Sequence, residues 1–350
     1  MWQVIGQPRT VSLLQRSLEA GSLAHAYLLV GPPHIGKMTL AVNLAQALNC
    51  EGDAPPCGQC PPCLKIAAGN HADVQVIGLS RDEDNAEAKL ISIEQIKDLQ
   101  HDASLPPFEG RHKVFIIEGA ELLSIEAANR LLKTLEEPNE KVTFILLTIN
   151  ERLLPATVVS RCQRLELPPL PIEEAAAQLE KANGLDPEQA RRLAGFSHGC
   201  PGWALAALRD EGLLQQRNEE LDEIAGVIKA ASDARFAYAA RLATRFGQNR
   251  SAVYDVLELW LDYYRDLMLL SLGRDDLLTN IDRRDELARL AQGFTLSQIK
   301  AFIETIQATA RELRQNVNAR LALEVMMLDI PRNEGGEPEN RPNRVSVKYG

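Results

Sequence analysis

Tyr27-Leu-Leu-Val-Gly31-Pro-Pro-His-Ile-Gly36-Lys37-Met-Thr39 is the stretch that decides the fold. The apolar run Ala26 to Val30 predicts a buried strand, and the periodic segment Leu40 to Leu48 predicts a helix. Between them Gly31, Gly36 and Lys37 stand at the spacing of a phosphate loop. Strand, glycine loop, lysine and helix in that order is the context this motif requires. The glycines let backbone N–H groups turn toward phosphate oxygens, the helix start adds positive potential, and Lys37 adds a full charge. The next position departs from the pattern. Met38 stands where a Ser or Thr hydroxyl would hold Mg²⁺, and a thioether does not ligate a hard cation. Thr39 comes one residue late. The stretch therefore predicts nucleotide binding and weakens the case for metal-assisted hydrolysis.

Upstream, Trp2 to Gln7 precede a helix predicted over Thr10 to Ala20, read either as edge packing or as a contact to a nucleotide base. Downstream lies Cys50-Glu-Gly-Asp-Ala-Pro-Pro-Cys57-Gly-Gln-Cys60-Pro-Pro-Cys63. Three cysteines at two-residue spacing and a fourth seven positions upstream, with Pro and Gly between, let the backbone curl around a small ion. Four thiolates close a tetrahedral site and leave no open position, so the expected cofactor is structural zinc. An iron–sulfur cluster would use the same ligands, and a redox pair is the remaining alternative. Either metal would replace a core that so short an insertion lacks.

Further strands are predicted over Asp73–Ile77, Lys113–Glu118, Thr143–Thr148 and Arg164–Leu167, with a helix over Ile91 to Leu99 and a polar, exposed stretch from Arg81 to Glu87. The third strand ends in Glu118 where paired acids would orient Mg²⁺ and polarise water. Here the second acid is replaced by Gly119, and Glu121 follows two positions later. Ser124 caps a helix that Pro138 stops, with Ala128, Leu131, Leu132 and Leu135 as its buried stripe. Ser160-Arg161-Cys162 precedes the fifth strand.

A chain of 350 residues accommodates two or three domains. The net charge of −10 argues against a broad nucleic-acid-coating surface, though not against a local basic patch. No run of 18 apolar residues suggests a membrane span, the first residues lack the regions of a signal peptide, and a cytoplasmic protein with no membrane partner is expected. A reducing compartment favours metal over disulfides for the cysteine cluster.

Taken together, Val4-Ile-Gly-Gln7, the loop Gly31–Lys37, the four-cysteine insertion, Leu131-Leu-Lys-Thr-Leu-Glu-Glu-Pro138 and Ser160-Arg161-Cys162 resemble the AAA+ ATPases of the clamp-loader branch, over residues 1–330. Within it the chain is similar to the delta-prime type rather than to the tau/gamma motor type. The resemblance implies an α/β nucleotide-binding domain with a five-stranded parallel sheet, a small helical lid and an all-α collar. It implies a ring with tau/gamma and delta subunits that places a sliding clamp on primed DNA. Arg161 would be the arginine finger acting in trans. Cys50, Cys57, Cys60 and Cys63 would be the zinc ligands. ATP or ADP would lie against Val4, Gly31, Gly36, Lys37, Thr39 and Thr148, the last near the sensor-1 position. Gly202 stands where a motor subunit carries a lid arginine. Three catalytic parts are missing while the arginine offered to a neighbour is kept. The leading expectation is thus a scaffold and activator, and the alternative is a tau/gamma-like ATPase using Glu118 and Thr39 as substitutes.

The expected divisions are 1–168 for the nucleotide domain with its 50–63 insertion, 169–212 for the lid, 213–331 for the collar and 332–350 for a disordered tail. Lid helices are expected at Glu173–Ala182, Asp186–Ala194 and Gly202–Arg209, and Asp186-Pro-Glu supplies a cap and a first-turn proline. Val253, Val256, Leu257, Trp260, Leu261, Tyr264, Leu267 and Met268 follow helical spacing, with Trp260 and Met268 read as core.

Overall fold

Successive residues of the first, third and fourth predicted strands are mostly apolar because that part of the sheet is covered on both sides, whereas the second and fifth alternate with polar residues. In the computed structural model, which describes residues 2–79, 90–137, 139–315 and 317–331, β1 (Ala26–Val30), β2 (Val74–Ile77), β3 (Lys113–Glu118), β4 (Val142–Thr148) and β5 (Gln163–Glu166) form one sheet. Its order is β2-β3-β4-β1-β5 and every pair is parallel. Side chains alternate between two cores. Leu28, Phe115, Phe144 and Leu146 face one side, under α4 (Ile93–Ser104) and α5 (Ile125–Glu136). Tyr27, Leu29, Ile116, Ile145 and Leu147 face the other, under α1 (Pro8–Glu19), α2 (Lys37–Asn49) and α3 (Pro61–Ala67). The five-stranded parallel sheet expected from the sequence is present.

Helix limits move where local chemistry sets them. The first helix starts at Pro8, whose fixed φ suits the first turn. The helix expected from Ile91 starts at Ile93, because Ser92 caps it by accepting from the Gln95 N–H while Gln95 reciprocates. Ile91 instead bridges to Leu123. Ser124 caps α5 as expected, and Ala128, Leu131 and Leu135 are buried, with Leu132 half-buried. The residues Arg81–Glu87, Pro138 and 332–350 lie outside those described.

The chain divides into two compact units, 1–205 and 206–350. The first holds the sheet together with α6 (Ala156–Val159), α7 (Ile172–Asn183), α8 (Pro187–Phe196) and the start of α9 (Pro201–Arg209). Asp186 caps α8 by accepting from the Gln189 N–H, with Pro187 at its first turn. The second unit consists of α10 (Glu211–Lys229), α11 (Ser232–Gln248), α12 (Arg250–Ser271), α13 (Arg284–Ala291), α14 (Leu296–Arg314) and α15 (Ala319–Leu328), joined by loops and 3₁₀ turns. Trp260 lies at its centre, fully buried, edge-on to Phe302, with its indole N–H donating to Tyr238 Oη at 3.0 Å. Met268 packs at the margin of that core. Among the described residues, no helix is long and apolar enough to cross a membrane.

Candidate functional site

The phosphate loop sits at the carboxyl end of β1, where the chain leaves the middle of the sheet, with β4 on one side of β1 and β5 on the other. Gly31 donates its N–H to Thr148 O at 3.2 Å. A Cβ there would come within 2.5 Å of Leu167 O, so the close passage of the chain just after β5 requires glycine. Gly36 adopts a left-handed φ of +98° just before α2, with Val4 Cγ2 against it. Lys37 Nζ donates to Gly31 O at 2.6 Å and to Pro32 O at 2.7 Å. Burial lowers its pKa, opposed by Glu121, Cys200 and Glu118. Thr148 is buried at the end of β4 and its Oγ1 accepts from Asn150 N–H at 3.1 Å.

Each departure from the motor pattern has a structural counterpart. Met38 is half-buried and packs against the margin of the core on that side of the sheet, while Thr39 is exposed. Gly119 takes a left-handed φ of +68°, opening a 3₁₀ turn over Ala120–Leu122, a conformation that a second acid would enter only with strain. Glu118 is exposed at the strand end, and Glu121 carries one buried oxygen without a hydrogen-bond partner. Gly202, at the start of α9, donates its N–H to His34 O at 2.9 Å. A Cβ at Gly202 would meet that carbonyl at 2.5 Å. The position implied for a lid arginine is therefore occupied by backbone-to-backbone contact with the loop itself.

Arg161 follows α6, away from the phosphate loop in sequence. It donates to Thr157 O at 2.8 Å and pairs with Glu136 at 2.6 Å. Arg164 pairs with Glu151 and with Glu166. Cys162 is a packing residue: burial pushes its thiol up to about 12.

The four cysteines converge. Their sulfurs all lie within 4.8 Å of one another, with Cys57 to Cys63 at 4.0 Å and Cys60 to Cys50 at 3.9 Å. Sulfurs arranged tetrahedrally about 2.3 Å from one ion would stand about 3.8 Å apart. Backbone N–H groups of Gly52 and Cys57 point at Cys50 Sγ, and those of Gln59 and Cys60 at Cys57 Sγ, an arrangement that favours thiolates. The donor set thus fits a closed tetrahedral metal site. The sequence concealed α3, which carries Cys63; the proline at its first position was its signal.

Residues not singled out from the sequence tie these parts together. Asn43, Gln46 and Asn49 are buried polar side chains on α2. Asn43 Oδ1 accepts from Gln3 N–H at 2.6 Å, Asn43 donates to Gln46 Oε1, and Gln46 Nε2 donates to Cys63 O at 2.9 Å. Asn49 Oδ1 accepts from the N–H groups of Arg111 and His112. Their spacing of three on an otherwise apolar helix was the available clue.

Comparison with known proteins follows the same division. The family described as DNA polymerase III, delta subunit, matches residues 6–171, and that described as DNA polymerase III, delta subunit, C terminal, matches residues 212–331. DNA polymerase III subunit delta' of Bacillus subtilis (strain 168) is 30% identical over 326 residues, 92% of this chain and 95% of that protein. Subunit delta' of Pseudomonas aeruginosa is 38% identical over 213 residues, 59% of this chain and 62% of that protein. DNA polymerase III subunit tau of Escherichia coli (strain K12) is 38% identical over 180 residues, 51% of this chain but 27% of tau. With both units matched and a delta' relative covered almost end to end, the chain belongs to the delta-prime family of DNA polymerase III subunits.

Proposed function

We propose that this chain is the stationary member of a clamp-loader ring, supplying Arg161 to a nucleotide bound by a neighbouring tau/gamma-type subunit and turning over none itself. The single observation that carries the reading is the contact of Gly202 with His34: the N–H of the lid residue bonds the loop at 2.9 Å and leaves no room for a side chain. Met38, half-buried against the core, and the left-handed Gly119 point the same way. Arg161, by contrast, is retained on the surface with its side chain one-third exposed. A cation aimed at developing phosphate charge contributes orders of magnitude in rate to the subunit that receives it.

In this reading the remaining loop holds nucleotide without splitting it. Gly31, Gly36 and Lys37 would cradle the phosphates of ATP or ADP, Thr39 and Thr148 would border them, and Val4 would flank the site. The four cysteines would hold a structural zinc, which supplies cross-linking and no catalysis. The helical second unit would serve as the collar joining tau/gamma and delta neighbours, around a sliding clamp and primed DNA. Leu321, Val325 and Leu328 form an exposed apolar row on α15 of the kind that a ring neighbour covers. The divisions 1–168, 169–212 and 213–331 remain the proposed functional segments.

The test is Arg161→Ala in the reconstituted loader. ATP hydrolysis in the presence of clamp and primed DNA should fall about 10-fold or more, while assembly, followed by gel filtration, stays intact. Unchanged hydrolysis by a fully assembled complex removes the in-trans assignment.

A further inference from the structure

Arg161 does not swing freely. Its Nη1 donates to Thr157 O at 2.8 Å and its Nη2 to Glu136 Oε1 at 2.6 Å. These anchors come from two elements: Thr157 from α6, beside the arginine in sequence, and Glu136 from the last position of α5, 25 residues upstream. A carboxylate there opposes helix electrostatics, since the carboxyl end of a helix is its negative pole, and Glu137 adds a second. The pairing offsets that repulsion. It contributes little to folding, because the side chains are 33% and 49% exposed and water screens such pairs.

The geometry supplies another reason for it. A guanidinium has five N–H donors; the two short contacts occupy two of them, and Nη1 also reaches Ser160 Oγ at 3.5 Å. The others remain for oxygens of an incoming anion. An unanchored arginine gives up rotamer freedom each time it meets a phosphate, whereas one held at both amino groups has lost most of it beforehand.

We infer that Glu136 is a positioning residue for Arg161, fixing the Nη2 side of the guanidinium so that its unused N–H groups face the phosphates of a nucleotide on the neighbouring subunit. This rests on the reading of Arg161 as the residue delivered in trans.

In the reconstituted loader, Glu136→Ala should lower kcat for ATP hydrolysis about three- to tenfold, less than Arg161→Ala does, with KM for ATP nearly unchanged. Glu136→Gln keeps an acceptor oxygen in place and should restore most of the rate. Combining Glu136→Ala with Arg161→Ala should lower the rate no further than Arg161→Ala alone, because nothing is left to orient. The thermal midpoint of the isolated chain should not move. A rate that is unchanged or raised in Glu136→Ala, a Gln variant no better than Ala, or an added loss in the double variant overturns the inference while leaving Arg161 in its role. If Arg161→Ala is itself silent, the in-trans reading has failed and this inference falls with it.

Discussion

Two buried aspartates show how neighbours decide what one side chain does. Asp73 accepts from the N–H groups of Phe108, Glu109 and Gly110 at 2.7 to 2.8 Å and so fixes the loop that leads into β3. Burial pushes its pKa up, but the three backbone donors, with His71, outweigh this and hold the carboxyl below its ordinary value. Asp266 in the second unit accepts from Thr279 N–H and from the backbone N–H and side-chain amide of Asn280, yet deeper burial wins and its pKa is raised. The signs of their contributions to stability therefore differ. For Asp73 the folded pKa lies below the unfolded one, so its contribution is complete above about pH 4 and is lost as the pH falls through the folded value. Asp73→Ala leaves three donors without their acceptor and should cost about 2–4 kcal/mol at neutral pH by denaturant titration. The gap between wild type and variant should narrow in acid, and a gap independent of pH would contradict the assignment. Asp73 was legible only as the opening of a strand, because the donors it serves lie 35 to 37 residues further on.

Among the elements, α2 joins more of the molecule than its sequence discloses. It begins at Lys37 and ends beside Cys50, a rod of 13 residues spanning about 20 Å. Asn43 and Gln46 link Gln3 to Cys63 along it by three hydrogen bonds. Elemental analysis should find about one zinc and no iron per chain, and Cys63→Ser should abolish stoichiometric binding. Chelation should also loosen the far end of this path, so the amide of Gln3 should exchange faster with deuterium once the metal is removed. Unaltered exchange at Gln3 would mean that the amino terminus is held independently. The elements themselves were readable wherever a cap or a clear period marked them. Ser124, Asp186 and the stripe through Trp260 announced their helices. The helix α3 was hidden because cysteine, proline and glycine dominate its surroundings, and Ile91 misled because apolar spacing continued past the Ser92 cap.

At the scale of the molecule, the sheet and its phosphate loop follow from local sequence, whereas the proposed lack of turnover rests on a contact between distant segments. Met38 and Gly119 could be noticed as departures, but only the fold reveals that Gly202, 168 positions from His34, lies against the loop carbonyl. The isolated chain should therefore hydrolyse ATP no faster than its Lys37→Ala variant, measured by phosphate release. Sustained turnover sensitive to that substitution would instead favour the self-hydrolysing alternative. The contact between Gly202 and His34 also limits which single substitutions this site can accept. An arginine at 202 must first prise helix and loop apart, and by itself it would restore neither a hydroxyl at 38 nor an acid at 119. On the reading proposed above, each such single change would carry the disadvantage of a disturbed fold without the reward of activity, so the arrangement resists being left one substitution at a time.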